Sequence, residues 1–428
     1  MKERIKILLL GKGGRESALA RKILESPRTE RLYMAPAAIE GAEAVAVDPL
    51  NFQGVADAVE KLEIDMVVPV GAAPIVAGIT DWLEETGVKV IAPSEACARL
   101  EGSKEFAKEF MADNAIPTAR FMTVTSDTLE EGLSFLDSLR PPYVLKADGL
   151  AMGKGVLIIN SLADAKDTLT DMIEGMFDEA SETVLIEEYI DGRECTVTLA
   201  VDGEDWLMLP VAHDYKRNLS GNIGPNTPGM GSVSPVSFVD ADFMDKVKKR
   251  VIRPTLRGLK EAQLDYRGFL YLGLMELDGE PVLVEYNVRL GDPETQAILP
   301  RIKGDFVDIL EGIADRTVGL KKIQFYPIAC AAVVLTAEGF PGTVRRGDIV
   351  TGILEAEAEG CKVYPGQLSY DDNGKIYTDG GRVLTVTATA PTMAEAAAKA
   401  TSGASAIVFD GAYFRDDIGR DVEEDAAI

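Results

Sequence analysis

The stretch IKILLLGKGGRESALARKIL, residues 5–24, places an apolar run directly before a glycine-rich turn and a run of helical character. It predicts a buried strand over residues 5–10 and a helix over residues 16–26. Strands that alternate with helices indicate a parallel sheet with helices on both faces. The same pattern continues through the first part of the chain, with strands predicted at 31–34, 45–47, 66–70 and 88–91 and helices at 52–62 and ending at 82–86.

The glycine turn after the first predicted strand is a candidate ligand site. Gly11, Gly13 and Gly14 follow that strand, where folds of this kind bind ligands beyond the carboxyl ends of their strands. Together with Arg15 they could hold a phosphate at the N-terminus of the first helix. Lys12 adds positive charge, so we expect an anionic ligand here.

Length and charge bound the class of protein. The 428 residues predict about three domains. A net charge of −26 argues against nucleic acid or an anionic membrane as a partner, because phosphates would be repelled. The apolar runs stay below the ~20 residues of a membrane span, and no signal-peptide cleavage site follows the first run. We therefore expect a cytoplasmic protein, a monomer or small homo-oligomer, that acts on small molecules.

Cysteine and histidine usage narrows the choice of metal. The four cysteines are far apart and form no CxxC pair, so neither a zinc site nor a disulfide framework is indicated. The single histidine, His213, excludes a histidine-rich metal site and is better explained as a structural residue. Any bound metal would be held by oxygen atoms, which favours Mg²⁺ or Mn²⁺.

From residue 103 to about residue 325 the predicted strands pair as hairpins. The segment YVLKADGLAMGKGVLII (143–159) predicts strand, glycine loop and strand, which is a hairpin flap. It is not a Walker loop, since no Ser or Thr follows Lys154 and no helix begins there. The other elements predicted in this part are strands at 184–189, 196–201, 206–211, 269–277 and 282–286, helices at 104–114 and 240–263, and a long loop at 213–235.

The last part, from about residue 326, predicts strands at 329–335 and 383–387 and an alanine-rich helix at 393–400. The expected fold class is thus α/β, with α+β character in parts. We expect an N-terminal parallel α/β domain at 1–102, a middle domain at 103–325 and a C-terminal mixed β/α domain at 326–428.

Lysines and acidic strand ends in the middle part suit a nucleotide. Lys146 ends a strand and Lys154 lies in the flap, and two ammonium groups near glycines suit a triphosphate. The segment 187–190 ends a strand whose backbone could bond an adenine, and Glu194 could take the ribose hydroxyls. Ordinary surface lysines and a solvated acidic strand end remain the alternatives.

The cluster of Glu276 with Glu285, Asn287 and Arg289 predicts a metal site. Glu276 and Glu285 fall on adjacent antiparallel strands, and residues two apart on a strand share a face. Two carboxylates and an amide oxygen are the hard ligands that Mg²⁺ prefers. Arg289 shares that face and could clamp a carboxylate or an acyl phosphate. Such a polar face without ligands would be costly to bury.

The loop from residue 214 to residue 231 combines a basic pair, Lys216 and Arg217, with many glycines. Its backbone amides could hold a small carboxylate. A purely structural Ω-loop remains an equal alternative.

These motifs occur in a characteristic order: GGRE at 13–16, EGSK at 101–104, KADGLAMGKGV at 146–156, EEYIDGRE at 187–194, DYKR at 214–217, GPNTPGMG at 224–231 and VEYNVRLGDPETQ at 284–296. The chain resembles the glycinamide ribonucleotide synthetase family of ATP-grasp ligases over nearly its whole length. The resemblance implies a two-lobed ATP-grasp domain at 103–325 with a mobile lid at about 122–190. It also implies ATP with Mg²⁺ or Mn²⁺, and a place in purine biosynthesis.

The implied reaction has two steps. ATP phosphorylates the carboxylate of glycine, and the amine of phosphoribosylamine then displaces phosphate from glycyl phosphate. By the resemblance, the nucleotide residues are Lys104, Lys146, Lys154, Gly155, Glu187, Ile190 and Glu194. The metal ligands are Glu285 and Asn287, with Glu276 as a further carboxylate. The residues around glycine and the acyl phosphate are Asp214, Lys216, Arg217, Asn226, Thr227, Gly229, Arg289 and Asp292, and those of the amine side are Gly11, Gly13, Gly14 and Arg15.

The departures from the family pattern cluster in the loops of the first domain. Lys12 and Ser17 stand where the family has Asn and His, and alanines stand at Ala37, Ala38, Ala72 and Ala73 in two further loops. Lost polar groups at one subsite often mean a changed ligand. Three hypotheses follow: a true synthetase of this family, a paralogous ligase that passes glycine or another small amino acid to a different, anionic amine, or a non-catalytic ATP-binding protein.

Overall fold

The computed structural model describes residues 2–149, 155–176 and 182–420. Its first part is a five-stranded sheet in which all neighbouring strands are parallel. The strands, in sheet order, are Glu43–Ala44, Thr29–Ala35, Ile5–Leu10, Met66–Pro69 and Lys89–Val90. The helices around them are Gly14–Leu24, Phe52–Leu62, Ala72–Val76, Ile79–Leu83 and Glu95–Gly102. The predicted N-terminal parallel sheet is confirmed.

The first strand is apolar at nearly every position because both of its faces are covered. Ile7 and Leu9 lie in one apolar cluster, which continues into the helix Phe306–Ala314. Leu8 and Leu10 lie in a second cluster with the helix Phe52–Leu62. The strand therefore joins two layers, and its carboxyl end delivers the glycine turn to the edge of the sheet.

A second sheet of four antiparallel strands follows in the chain. Its order is Phe121–Val124, Val184–Glu188, Tyr143–Ala147 and Val156–Ile159, and the last two strands form the predicted hairpin. The helices Leu129–Asp137 and Leu162–Asp171 cover one face and share a separate apolar cluster with it. This sheet carries Lys146 and Glu187, whereas the predicted flap residue Lys154 lies outside the described residues.

A third sheet carries the predicted metal residues. Its order is Trp206–Met208, Arg193–Asp202, Arg267–Leu277 and Glu280–Asn287, with antiparallel neighbours. The helices Lys104–Asp113, Ala241–Val247 and Arg253–Glu261 pack on its apolar face. A π-helical turn, Lys248–Ile252, joins the last two, so the helix predicted over 240–263 is one rod with a local irregularity.

The C-terminal sheet takes strands from two distant parts of the chain. Its order is His213–Asp214, Gly231–Ser234, Ala329–Thr336, Arg382–Ala390 and Lys362–Pro365. The helix Met393–Ala406 packs against it. The first two strands form the two ends of the segment predicted as a loop at 213–235, so this sheet crosses the expected domain boundary at residue 326. The loop is thereby anchored in the C-terminal sheet.

The remaining strands and α-helices are short. They are the strand pairs Arg217–Leu219 with Ile223–Asn226, Ile302–Lys303 with Gln324–Phe325, and Leu368–Tyr370 with Ile376–Thr378, and the helices Glu294–Ile298, Phe306–Ala314 and Ile353–Ala358. In the described part of the chain, no helix combines the length and the apolar character needed to cross a membrane.

Candidate active site

Glu285 and Asn287 share one face of the third sheet, as predicted. Glu285 lies opposite Gly273 and Asn287 lies opposite Tyr271 on the neighbouring strand. A Cβ atom at residue 273 would lie 2.9 Å from Cγ of Glu285, so glycine is needed there to admit the carboxylate. The side chain of Glu285 is 44% exposed. Desolvation opposes its charge, but Lys216 and Lys146 outweigh that effect and lower the pKa of Glu285.

Glu276 does not join this face. It lies opposite Pro281, three positions beyond Gly273, and the strand alternation turns it to the other side of the sheet. Its carboxylate accepts a hydrogen bond from Nε of Arg193 at 2.7 Å and one from the backbone of Gly279. The predicted grouping of Glu276 with Glu285 and Asn287 is therefore corrected. The two strands are neighbours, as predicted, but the spacing of the residues does not determine their register.

Arg289 is held by Glu101, which is not among the site residues predicted from the sequence. Nη2 of Arg289 lies 2.9 Å from Oε1 of Glu101, and the other carboxylate oxygen accepts the backbone N–H of Val288 at 2.8 Å. Arg289 also donates to Oδ1 of Asn287 at 3.0 Å. Burial opposes the charge of Arg289, but Glu101 raises the pKa of its guanidinium. The EGSK motif already contained this partner.

Lys216 joins the predicted ribose carboxylate to the predicted metal carboxylate. Its ammonium pairs with Glu194 and lies 3.7 Å from Oε1 of Glu285. Burial disfavours the charged lysine, but Glu194 and then Glu285 raise the pKa of Lys216 well above its ordinary value. The neighbouring Arg217 turns away and donates to the carbonyl of Gly224 at 2.8 Å, so it shapes the loop.

Asp214 and Glu294 form a buried acidic pair. Burial raises the pKa of Asp214 well above its ordinary value, and Glu294 adds to the shift. Oδ1 of Asp214 is buried and has no hydrogen-bond partner among the described residues. The hydroxyl of Thr196 lies 3.1 Å from the phenol oxygen of Tyr271 and 3.4 Å from the carboxylate of Glu294. Glu294 belongs to the GDPETQ motif at 291–296, whereas no sequence motif marks Thr196 and Tyr271.

One of the predicted nucleotide lysines, Lys146, pairs with Glu187. Its carboxylate is buried between Nζ of Lys146 at 2.6 Å and Nζ of Lys108 at 2.9 Å. Burial lowers the pKa of Lys108 to about 8, against the opposing effect of Glu187. The side chain of Glu187 therefore positions two cations. Lys108 was missed because a lysine in a helix is ordinarily a surface residue.

Lys104 lies at the base of the flap. Its ammonium donates to the carbonyls of Ala147 and Gly149, both at 2.7 Å. Burial lowers the pKa of Lys104, with Asp148 opposing. The carbonyl of Gly155 accepts a hydrogen bond from Ala147 at 2.8 Å, which closes the hairpin near the flap. Ile190 lies in a loop two residues after the strand Val184–Glu188, so the strand ends one residue earlier than predicted.

The glycines of the first turn are required by close packing within the chain. Cβ atoms at residues 11 and 13 would lie 2.8 and 2.6 Å from the side chain of Glu16, and one at residue 14 would lie 2.7 Å from Nε2 of Gln296. Arg15 pairs with Glu16 at 2.7 Å and donates to the carbonyl of Leu290 at 3.1 Å. The carboxylate of Glu16 is a further polar group at this turn that sequence reasoning missed.

Two of the departures from the family pattern are contacts with the C-terminal part. Lys12 pairs with Asp379 at 3.2 Å, and the hydroxyl of the buried Ser17 donates to the carbonyl of Pro365 at 2.7 Å. The other four departures follow two strands of the parallel sheet. Ala37 and Ala38 lie in the loop after Thr29–Ala35. Ala72 and Ala73 begin the short helix that follows Met66–Pro69.

The remaining predicted substrate residues lie where the loop meets Asp292. Thr227 donates to the carbonyl of Lys216 at 2.9 Å, and Asn226 lies opposite Arg217 in the small hairpin. Gly229 has a φ of +122°, and a Cβ atom there would lie 2.4 Å from Pro293.

Asp292 binds a cation from the C-terminal part. Its carboxylate pairs with Arg382 at 2.8 Å and accepts from Nε2 of Gln296 at 2.7 Å. Burial opposes the charge, but Arg382 and Arg15 lower the pKa of Asp292. The site thus draws residues from all three parts of the chain.

Comparisons with known proteins identify the family of the chain. Three family models match: the N domain of phosphoribosylglycinamide synthetase over residues 5–101, its ATP-grasp (A) domain over 102–295 and its C domain over 330–421. Curated relatives named phosphoribosylamine–glycine ligase include that of Vibrio parahaemolyticus, 38% identical over 97% of this chain and 98% of the relative. Another is from Escherichia coli K12, with the same identity and coverage.

Solved structures place the fold. The crystal structure of phosphoribosylamine–glycine ligase from Thermotoga maritima has a TM-score of 0.83 and 34% identity, and covers 96% of this chain and all of that one. A biotin carboxylase domain from Hydrogenobacter thermophilus has a TM-score of 0.72 at 15% identity, with 97% and 92% coverage, and shows likeness of fold alone. The fold and resemblance expected from the sequence are confirmed: the chain belongs to the phosphoribosylglycinamide synthetase family of ATP-grasp ligases.

Proposed function

We propose that this protein is an ATP-dependent carbon–nitrogen ligase that joins glycine to 5-phosphoribosylamine. The products are glycinamide ribonucleotide, ADP and phosphate, in purine biosynthesis. The observation that carries the proposal is the placement of Lys216 between Glu194 and Glu285, which connects the glycine loop to the nucleotide side. The relatives named for this reaction match nearly the whole chain.

The nucleotide would lie between the second and third sheets. Lys104 and Lys146 would contact phosphate oxygens, with Lys154 and Gly155 in the flap. The backbone at Ile190 would bond the adenine, and Glu194 would accept from the ribose hydroxyls. Glu187 would act by holding Lys146, since its carboxylate lies 2.6 Å from that ammonium.

A divalent ion, Mg²⁺ or Mn²⁺, fits the donor atoms on the strand Glu280–Asn287. Glu285 has a lowered pKa and a half-exposed carboxylate, and Oδ1 of Asn287 is a second hard oxygen. No group of three His, Cys, Asp or Glu side chains in the described ranges is arranged to hold a metal, so phosphate oxygens of ATP would supply the remaining ligands. When bound, the ion would neutralise negative charge on those phosphates.

In the first step, a carboxylate oxygen of glycine attacks the γ-phosphorus, and the bond from that phosphorus to ADP breaks. Arg289, held by Glu101, would neutralise the transferring phosphoryl group. Lys216 would stabilise charge between the carboxylate and the nucleotide. The unpaired oxygen of Asp214, with Glu294, would attract the ammonium group of glycine.

In the second step, the amine nitrogen of phosphoribosylamine attacks the carbonyl carbon of glycyl phosphate. The carbon–nitrogen bond forms, the bond to phosphate breaks and the amine loses a proton. Much of the rate enhancement would come from positioning the two reactants. The turn at 11–15 would bind the ribosyl phosphate, with Asn226, Thr227, Gly229 and Asp292 enclosing the glycyl group.

We divide the chain into three domains and a lid. The matched ranges support an N-terminal domain at 1–102, a central domain at 103–325 and a C-terminal domain at 326–428. The separate apolar cluster of the second sheet supports a lid over about 122–190 that moves as a unit when ATP binds.

A paralogous ligase with another amine acceptor is the second candidate. The observation that favours it is that Ala37 and Ala38 stand where the family pattern has Gly and Asn, and that the loop with Ala72 and Ala73 lacks the Glu of the family pattern. Lys12 and Ser17 no longer support it, because both contact the C-terminal part of the chain.

Steady-state ADP release tests the proposal. Purified protein would be assayed with Mg-ATP and glycine, with and without phosphoribosylamine generated in place from the phosphoribosyl sugar and ammonia. Release that requires both glycine and phosphoribosylamine is expected. Glycine-dependent release that ignores phosphoribosylamine would favour the second candidate, and ATP binding without turnover would favour a non-catalytic protein.

A further inference from the structure

Residues 415–419, a segment of the C-terminal part, contact the loop that carries Asp214, Lys216 and Arg217. Arg415 is only 1% exposed, which is rare for an arginine unless its donors are satisfied. It pairs with Asp417 through two contacts of 2.8 Å. Within the described residues, its other hydrogen bonds go to the loop.

These contacts lie on both sides of Lys216. Nη1 of Arg415 donates to the backbone carbonyl of Arg217 at 2.9 Å. The guanidinium carbon lies 5.2 Å from the ring centre of Tyr215, within the range of a cation–π contact. Because Tyr215 and Arg217 are the two chain neighbours of Lys216, Arg415 fixes the backbone from which the lysine projects.

Neighbouring residues of the segment attach the same loop. Asp416 accepts from the hydroxyl of Ser220 at 2.8 Å, and Asp417 accepts from the backbone of Gly221 at 2.7 Å. The backbone of Gly419 donates to the phenol of Tyr215 at 3.1 Å.

The far end of the loop is shaped by the same segment. A Cβ atom at residue 231 would lie 2.8 Å from the buried Ile418, so glycine at that position admits the segment. The segment and the loop are therefore fitted to each other at both ends of the loop.

We propose that Arg415 is a positioning residue for the glycine half of the reaction. It holds the Tyr215–Arg217 backbone so that the Lys216 ammonium reaches Glu194 and Glu285. The inference rests on the proposed function for its kinetic consequence, whereas its structural claim stands on the contacts alone. The C-terminal domain then takes part in catalysis through the loop, without touching substrate at this point.

The test compares Arg415→Met and Arg415→Lys with wild type, and uses Arg345→Met as the matched control. Arg345 lies in the same part of the chain and pairs with Glu338, Asp348 and Asp410, away from the loop. For Arg415→Met we expect kcat/KM for glycine to fall by about tenfold or more while the Kd of an ATP analogue stays within about twofold. Arg415→Lys should recover part of the loss, and Arg345→Met should match wild type.

Hydrogen exchange of the amides at 217–229 gives a readout that does not depend on catalysis. Arg415→Met should speed exchange of these amides at least about tenfold relative to wild type, and Arg345→Met should not. If Arg415→Met fails to fold, Arg415→Lys carries the same comparison.

Unchanged exchange in the loop, or equal losses for glycine and for ATP, would overturn the inference. Absence of glycine-dependent ADP release in wild type would instead refute the proposed function, and the exchange experiment would still decide whether Arg415 holds the loop.

Discussion

The ammonium nitrogen of Lys216 lies 3.7 Å from Oε1 of Glu285, although one residue comes from a long loop and the other from a sheet strand. Lys216 also pairs with Glu194 at the end of another strand. The loop proposed to enclose glycine is thus tied by charge to the proposed nucleotide side. In the proposed reaction this single cation would lie between the two substrates of the first step.

Replacing Lys216 by methionine should therefore reduce turnover more than nucleotide binding. We expect kcat to fall by about a hundredfold, because a cation positioned at developing charge is lost. Steady-state ADP release and the Kd of an ATP analogue check this. Lys246→Met, which removes a surface pair with Glu280, is the control and should keep wild-type turnover. A Lys216→Met enzyme with normal kcat would remove Lys216 from the mechanism.

Glu101→Gln should disturb the position of the Arg289 guanidinium, although Glu101 itself would not contact substrate. The side chain of Glu101 is only 7% exposed and lies 2.9 Å from Nη2 of Arg289, so its charge fixes the guanidinium. We expect kcat/KM for ATP and glycine to fall by about ten- to a hundredfold, since a partly buried ion pair is broken. Glu109→Gln on the exposed face of the following helix is the matched control. Wild-type kinetics in Glu101→Gln would contradict the positioning role.

In the proposed metal site Glu285 is a ligand, whereas Glu276 on the neighbouring strand is not. Glu285→Gln should raise the Mg²⁺ concentration for half-maximal activity by about tenfold or more, because a charged hard ligand is replaced by a neutral one. Glu276→Gln should leave that concentration near the wild-type value, since Glu276 faces Arg193. Titration of ADP release with Mg²⁺ and Mn²⁺ measures both. An equal shift in the two variants would restore Glu276 to the metal site.

Because Asp214 and Glu294 form a buried acidic pair, we expect Asp214→Asn to raise stability and to lower activity. The pKa of Asp214 in the folded protein is raised by burial and then by Glu294. The folded state therefore binds this proton more tightly than the unfolded chain, and stability decreases as pH rises through the folded-state pKa. Asp214→Asn removes that effect, so its Tm should exceed that of wild type at pH 8 and the gain should shrink at pH 5.

Thermal unfolding at pH 5 and pH 8 measures the change in Tm. Asp372→Asn, at an exposed position, is the control. We expect a gain of about 1 kcal/mol at pH 8, together with lost glycine-dependent turnover. A Tm that falls by the same amount at both pH values would show that Asp214 is structurally stabilising as a charge.

Local sequence pattern was sufficient where neighbours in the chain form the structure. The apolar run Ile5–Leu10 predicts a strand covered on both faces, and it lies at the centre of the parallel sheet. The hairpin of Tyr143–Ala147 with Val156–Ile159 follows from its glycine loop. The shared face of Glu285 and Asn287 follows from the two-residue period of a strand.

Contacts between residues far apart in the chain limited how much of the site could be predicted from the sequence. The pairing of Gly273 with Glu285 turns Glu276, three positions along the strand, away from Glu285, and spacing in the sequence carries no information about that pairing. Glu101 meets Arg289 across 188 positions, and Arg415 meets Arg217 across 198. Such partners are brought together only by the completed fold, so a sequence identifies the residue that acts more readily than the residue that holds it.

The most direct test of the account follows oxygen atoms from glycine. The protein would be given Mg-ATP, phosphoribosylamine and glycine labelled with ¹⁸O in its carboxylate, and the released phosphate and the ligated product would be examined by mass spectrometry. Attack of the carboxylate on the γ-phosphorus predicts that each turnover yields glycinamide ribonucleotide and phosphate carrying one ¹⁸O atom. Phosphate free of ¹⁸O, or ADP released without glycinamide ribonucleotide, would contradict glycine activation followed by transfer to phosphoribosylamine.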